Sequence, residues 1–298
     1  MKDRSSQCLS SKLVSWNVAG RVSCLDQQVT ELVSYLSDLI ALQEVRIATA
    51  PLLTERLIAA GLPYCINSFD LAPDKEVLVG PRQYGQLIAS RWPLMPLPPD
   101  AFPVPWPERI LSALIDSPRG ILEIHNTHIP PGSSNGWTKI EMLEGIYKHL
   151  ACSSPNQRIL CGDFNAPQKE LPSGYIVTWG QEILEDGQII CEGTWRDREG
   201  QEDKNERWDT GERNIFERLR DYDLRDVYRM LHGYEVEEYS HYVQRRVGRR
   251  YDHVFASGSL NAVKCEYLHA LRENGLSDHS PIIVIFEPKE TEIDVRGV

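Results

Sequence analysis

The sequence predicts an α/β protein, with mixed β-sheets covered by helices in a single domain over residues 1–298. Apolar runs rich in β-branched residues alternate with segments of helical spacing along nearly the whole chain. Some of those runs follow one another too closely for a crossover helix, so antiparallel and parallel neighbours must coexist. At 298 residues the chain is long enough to bury a sizeable core.

In order, strands are expected at 12–17, 39–43, 86–90, 111–116, 121–127, 158–162, 251–256 and 281–286. Helical faces are expected from Leu25, Val29, Leu32, Val33 and Leu36, and from Leu52, Leu53, Leu57 and Ile58. Ile140, Leu143, Ile146, Tyr147 and Leu150 form a third. The runs at 111–116 and 121–127 flank Ser117-Pro118-Arg119-Gly120, which marks a hairpin turn. Residues 92–107 carry seven prolines, which exclude a helix or a central strand and leave an ordered, extended surface loop. Residues 181–212, rich in Asp, Glu, Arg and Gly, read as a solvated insertion or a flap.

Composition narrows the class. A hydrophobic content of 41% with 25% charged residues is that of a soluble globular protein. No stretch approaches the roughly 20 apolar residues that span a bilayer, and residues 1–11 lack a secretory core, which points to the cytoplasm. The seven cysteines are scattered without a CxxC pair, which argues against a disulfide framework and a structural zinc site. The net charge of −11 weakens the case for tight, metal-independent binding of DNA without excluding a nuclease.

The informative residues are polar groups stranded at strand ends, where the strand fixes position and the loop gives access. Five such places occur. They are Ser15-Trp16-Asn17-Val18-Ala19-Gly20, Leu42-Gln43-Glu44-Val45, Asn126-Thr127-His128, Cys161-Gly162-Asp163-Phe164-Asn165, and Arg250-Tyr251-Asp252-His253 with Leu276-Ser277-Asp278-His279-Ser280-Pro281. Singly, each has a plain structural explanation: Asn17 a helix cap, Glu44 a partner of Arg46, His128 a core histidine, Gly162–Asn165 an Asx-turn. Their coincidence, in order and each at a strand end, outweighs these. The basic run Arg245, Arg246, Arg249 and Arg250, and Arg46 after Glu44, either grip phosphates or are solvated or paired charges. Trp106, Trp137, Trp195 and Trp208 either stack on bases or anchor loops.

The series SWNVAG, LQEV, NTH, GDFN, RYDHVF and LSDHSP resembles the endonuclease/exonuclease/phosphatase superfamily over about residues 12–287. It is nearest the exonuclease III and apurinic/apyrimidinic endonuclease branch. The resemblance implies a four-layer sandwich of two mixed β-sheets flanked by α-helices, and Mg²⁺ or Mn²⁺ as cofactor. Glu44 would be the primary metal ligand, with Asn17 through its amide oxygen and Asp278 as a further ligand; hard cations favour such oxygen donors. Asp163 would be the general base, and Asn165 would hold the phosphate or the attacking water. His279, oriented by Asp252, would face the opposite side of the phosphorus, and His128 would be a second donor. The implied reaction is in-line displacement by water on a nucleic acid, DNA before RNA, as a repair or processing nuclease. The alternative is a phosphodiesterase or phosphatase of small nucleotide, RNA-end, lipid-headgroup or inositol phosphates. A monomer is the default. Ala19 stands where the exonuclease III branch usually carries Asn or Asp, and His128 where it often carries Tyr. Gly248-Arg249 replaces the aromatic residue that abasic-site enzymes tend to show.

Overall fold

The computed structural model describes residues 10–72, 74–191 and 204–288. Alternation along Ser11–Asn17 sends Leu13 to one face and Val14 and Trp16 to the other. This strand lies at the centre of a six-stranded sheet, parallel to Leu39–Arg46 and antiparallel to Ile282–Phe286. Tyr84–Ser90 and then Tyr64–Asn67 extend the sheet past Leu39–Arg46, and Ala262–Tyr267 forms the other edge. A second six-stranded sheet repeats this wiring around the parallel pair Gly120–His128 and Gln157–Asp163. Ile110–Ser117 and Leu94–Pro96 flank that pair on one side, Asp252–Ala256 and Arg225–Asp226 on the other. All the other neighbours in both sheets are antiparallel. A parallel pair needs a crossover. Leu25–Ser34 supplies it in the first sheet and Thr138–Leu150 in the second.

Three apolar layers hold the stack together. Leu13, Ile88, Leu111, Ile124, Val254 and Val284 fill the space between the sheets. Trp16 and Leu42 on the outer face of the first sheet meet Leu32, Leu53 and Leu57 from the helices Leu25–Ser34 and Ala50–Ala59. Leu160 and Phe164 on the outer face of the second meet Ile140, Leu143 and Ile146. The architecture is the four-layer sandwich of mixed sheets that the motifs imply. Among the described residues no helix is long and apolar enough to cross a membrane, and no cysteine is paired.

Three expectations change. Leu36 lies past the end of its helix at φ +51° and is exposed, so the apolar stripe there ends with Leu32 and the partly buried Val33. Leu52 and Ile58 sit at the margins of their helix and are exposed, while Leu53 and Leu57 carry its burial. The charged segment is solvated in one part only: residues 181–191 form an exposed to half-buried hairpin. Its residues 192–203 lie outside the described structure, but the helix Lys204–Arg213 is built in, with Trp208 and Glu212 buried. Gly211 lets this helix approach Thr138–Leu150, since a Cβ there would lie 2.9 Å from Ile140 Cγ2. The proline-rich loop behaves as expected: its only strand is the edge piece Leu94–Pro96, and Phe102 is buried in the outer core.

Below the second sheet lies a buried ion network. Glu170 accepts from Arg229 (2.8 Å) and from Arg250 (2.5 Å), and Asp226 accepts from Arg250 (2.6 Å). Burial alone would raise the Glu170 carboxyl, but the two guanidinium groups reverse this and hold it at about 2. A carboxyl depressed on folding contributes stability that is complete above its unfolded value of 4.5 and is lost as pH falls through the folded value. Urea unfolding between pH 6 and about 2 should therefore show stability falling over that range. Glu170→Gln should lower stability at neutral pH by about 3 kcal/mol and flatten the acid loss.

Candidate active site

Both central parallel pairs end at the same rim of the sandwich. Asn17 closes the first strand and pairs in register with Gln43, one residue before Glu44. His128 and Asp163 close their strands opposite each other. The antiparallel register then sets Asp252 beside Asp163.

Local backbone conformation aims the side chains. Glu44 is at φ +53°, inside a register shift between Leu42 and Val45. A bulge of this kind re-aims one side chain. Gln43 thereby stays between the sheets, bonded to Asn126 at 2.7 Å, while Glu44 turns to the rim. Gly162, at φ +134°, allows the neighbouring strand to close in; a Cβ there would lie 1.9 Å from the Thr127 carbonyl oxygen. Asn165 is at φ +49°, so the segment after Asp163 is a turn. Its N–H donates to Asp163 Oδ1 at 2.8 Å, and its side chain donates to the Ile129 carbonyl at 2.9 Å.

The Ala19 N–H, which can only donate, points at Asn17 Oδ1 from 2.9 Å. The Asn17 amide nitrogen therefore faces the carboxylates, donating to Asp163 Oδ2 at 2.8 Å and to Glu44 Oε1 at 3.2 Å. In this arrangement Asn17 bridges the two acids, and its amide oxygen keeps a second lone pair.

His279 and Asp252 form the cationic side. Asp252 Oδ2 accepts from His279 Nδ1 at 2.8 Å, and His279 Nε2 lies 3.8 Å from Asp163 Oδ2. Burial would lower the imidazole, but Asp252, and after it Asp163, outweigh it and raise the pKa to about 10. Asp163 is pushed up to about 7, first by burial and then by the Asp252 and Glu44 carboxylates, against the pull of His279. His128 behaves oppositely. Burial, then the charges of Arg109 and His279, hold it well below its ordinary value. Arg109 Nη1 contacts His128 Nδ1. A guanidinium only donates, so Nδ1 accepts and the neutral ring carries its proton on Nε2. That N–H stands 3.5 Å from the Asn165 amide nitrogen. The Glu44 and Asp163 carboxylates lie 3.5 and 3.7 Å from His128 Nε2, so the N–H faces the acids of the rim.

Arg109 and the stacked His241 are the residues that motif analysis missed. Arg109 was findable: counting outward from the turn at Pro118 and Arg119 puts it opposite His128. His241 carries no such signal, because its hairpin is short. The strands His241–Val243 and Val247–Arg249 pair, and an isolated bridge joins His241 to His279.

The expected phosphate-gripping arginines separate. Arg245 and Arg246 are exposed at the hairpin tip. Arg249 is half-buried over the Trp179 ring, and Arg46 is half-buried over Tyr84. Arg250 is withdrawn entirely, because its guanidinium neutralises Glu170 and Asp226. His253 points away as alternation requires, with Nε2 3.0 Å from the Ala166 carbonyl. Trp137 and Trp208 are buried edge to face, 5.4 Å apart, as anchors, and the Trp106 ring lies beneath Arg82 and Arg109. Trp195 lies outside the described residues. A cleft of about 500 Å³ adjoins the rim, bordered by Lys139, Asn165, Trp179, Trp208, His241 and Tyr251.

Among the described residues three clusters bring metal-binding side chains together. His241, Asp278 and His279 cannot chelate one ion as placed, because the two imidazoles stack at 4.3 Å with planes 26° apart. Their lone pairs lie in nearly parallel planes and do not converge. Glu44, His128 and Asp163 form a second group, and Asp163, Asp252 and His279 a third. Glu44 is the acid of the rim that is partly open to solvent, at 25% side-chain exposure. Asp163 and Asp252 flank the His279 imidazolium, Asn17 links Glu44 to Asp163, and the Arg109 guanidinium interacts with Glu44 and Asp163; carboxylate oxygens gathered in this way suit a hard divalent cation. Asp278 is exposed, and among the described residues no cluster joins it to Glu44.

A four-layer sandwich with acids, imidazoles and amides converging on one rim defines a phosphoester hydrolase. A profile of the endonuclease/exonuclease/phosphatase family matches residues 14–279, and the chain belongs to that family. No individually curated protein matches the sequence. An AP endonuclease from Archaeoglobus fulgidus superposes with a TM-score of 0.64 at 19% identity, over 93% of this chain and 99% of that one. A variant of the 3′ phosphatase NExo from Neisseria, bound to a product DNA hairpin, superposes at 0.59 with 18% identity, over 93% and 99%. A humanized D. rerio TDP2 superposes at 0.59 with 16% identity, over 93% and 98%. At these identities the superpositions show the shared fold.

The His279 imidazolium should persist through neutral pH and titrate near 10, which NMR of the ring nitrogens can follow. Its stabilising contribution is complete below 6.5 and lost as pH rises through about 10. Asp252→Asn removes the largest raising influence and leaves burial, so the ring should titrate well below the wild-type value. An unchanged titration in that variant would show that another group holds the proton.

Proposed function

We propose that the protein is a divalent-metal-dependent phosphodiester hydrolase that cuts DNA by in-line attack of water. The facing pair at the rim carries the proposal: the buried Asp163 carboxylate stands 3.8 Å from the His279 imidazolium that Asp252 holds. That gap is too long for a direct hydrogen bond and leaves the His279 Nε2–H to donate and the Asp163 carboxylate to accept.

Asp163 takes the proton of the attacking water. Its carboxyl is already locked by Asn17 on one oxygen and the Asn165 N–H on the other, so little reorganisation attends the step. His279 gives an ionised N–H to a phosphate oxygen, and Asp252 keeps that charge in place. The neutral His128 Nε2–H and the Asn165 amide bind a second oxygen of the phosphate. Glu44 would hold Mg²⁺ or Mn²⁺, with Asp278, which joins no cluster with Glu44 among the described residues, reaching it only through water; the metal's chemistry is Lewis-acid stabilisation of charge on the phosphoryl group. Arg245 and Arg246, exposed on the hairpin whose Val243 and Gln244 border the cleft, lie in position to meet flanking phosphates of a polymer. Two of the superposed proteins are described as an AP endonuclease and as a 3′ phosphatase bound to DNA. The net charge of −11 favours a second substrate class, small phosphodiesters and phosphomonoesters.

The test is incubation with Mg²⁺ or Mn²⁺ and end-labelled intact duplex, abasic duplex, single-stranded DNA and RNA, beside small phosphodiesters. Asp163→Asn should retain the fold and lose about a thousandfold in turnover. Glu44→Ala should raise the metal concentration needed for activity. DNA cleavage lost in the Asp163 variant supports the nuclease. Turnover confined to small esters moves the assignment to the second class. Normal cleavage by both variants would overturn the residue roles.

A further inference from the structure

We infer that His241 is a positioning residue for His279: its ring forms a stacking platform that sets the plane of the His279 imidazole. The inference rests on the role proposed for His279 and adds a residue that none of the motifs contains.

Three rings lie in a column. Tyr251 and His241 stack with centroids 5.9 Å apart and planes 17° apart, and His241 and His279 stack at 4.3 Å and 26°. The Tyr251 ring belongs to the chain just before Asp252, so the column begins beside the carboxylate that binds His279. His241 is held from both directions. Its Nδ1 lies 3.1 Å from the Asp278 carbonyl oxygen, which only accepts, so Nδ1 carries a proton. An isolated β-bridge pairs its backbone with His279, and the Ser280 N–H donates to the Ser240 carbonyl at 2.8 Å.

The column compensates for a weakness of the His279–Asp252 contact. One hydrogen bond at Nδ1 fixes where that nitrogen sits, yet it leaves the ring free to rock about the bond, and Nε2 swings most. The Trp16 indole and the Ser277 hydroxyl bond only the backbone of residue 279. The face of His241 is the restraint on rocking. His241 lies on the hairpin that carries Arg245 and Arg246, so the seating of the hairpin and the aim of His279 are mechanically one.

The test compares His241→Ala with His241→Phe in the full chain, since Phe keeps a face and loses both ring nitrogens. Half-buried His241 is not part of the apolar core, so both variants should fold. In the free protein, without substrate, NMR should show the Asp252-bound Nδ1–H of His279 in wild type and in His241→Phe. In His241→Ala that signal should broaden through exchange. On whichever phosphoester the wild type hydrolyses, His241→Ala should lower kcat about tenfold with KM within about twofold, and His241→Phe should recover to within about threefold of wild type. An unchanged signal with unchanged kcat in His241→Ala would overturn the inference. So would a rise in KM alone, which would make His241 a cleft contact, or a loss in His241→Phe equal to that in Ala, which would assign the role to the ring nitrogens. Should the wild type turn over no phosphoester at all, the proposed function fails, while the NMR comparison still decides the positioning.

Discussion

The site depends on two parallel strand pairs, one in each sheet, ending at a common rim. Each pair contributes one residue from each strand: Asn17 and Glu44 from the first, His128 and Asp163 from the second. The Asn17–Asp163 hydrogen bond at 2.8 Å spans from one sheet to the other. Between the sheets Gln43 meets Asn126 at 2.7 Å, and Asn126 donates in turn to the carbonyls of Leu42 and Leu87. These polar bridges tie the sheets together directly behind the rim, where an apolar contact would permit sliding. A one-residue slip in either sheet would turn the acids away.

Charge then decides which group does what. Asp163 is buried among carboxylates and resists ionisation, whereas His279 is buried beside carboxylates and resists losing its proton. His128, buried beside Arg109 instead, stays neutral. Two histidines of one site thus differ in protonation because the hydrogen bond to Asp252 and the nearby carboxylates outweigh the burial of one, while burial, reinforced by Arg109, governs the other. The arginine that sequence placed among the phosphate-binding set, Arg250, serves a structural purpose: it ties the chain just ahead of Asp252 to Asp226 and Glu170.

Strand ends were legible in the sequence because apolar alternation stops where polar residues begin, and Asn17, Glu44, His128, Asp163, Asp252 and His279 do converge. Motif spacing could not say which atom of Asn17 faces the acids, because that is settled by the Ala19 N–H two residues on. Nor could it separate Arg250 from Arg245, since adjacent guanidinium groups look alike until burial distinguishes them. The helix Lys204–Arg213 was misread for a related reason. Its composition is that of a solvated surface, yet Lys139 and Glu212 cancel each other inside at 2.6 Å, with the Trp208 indole and the Trp179 N–H completing the carboxylate.

The chain threads the two sheets unequally. The second sheet is made from the continuous stretch 94–256, while the first needs Ile282–Phe286 to lie against Ser11–Asn17, a pairing between residues more than 260 apart. His279 sits on the loop that leads into that strand. During synthesis the middle of the chain can therefore collapse on itself early, and the rim stays open until the closing strand emerges and docks. A nascent chain of this design carries no assembled rim, and the strand pairing of greatest sequence separation is also the one that completes it.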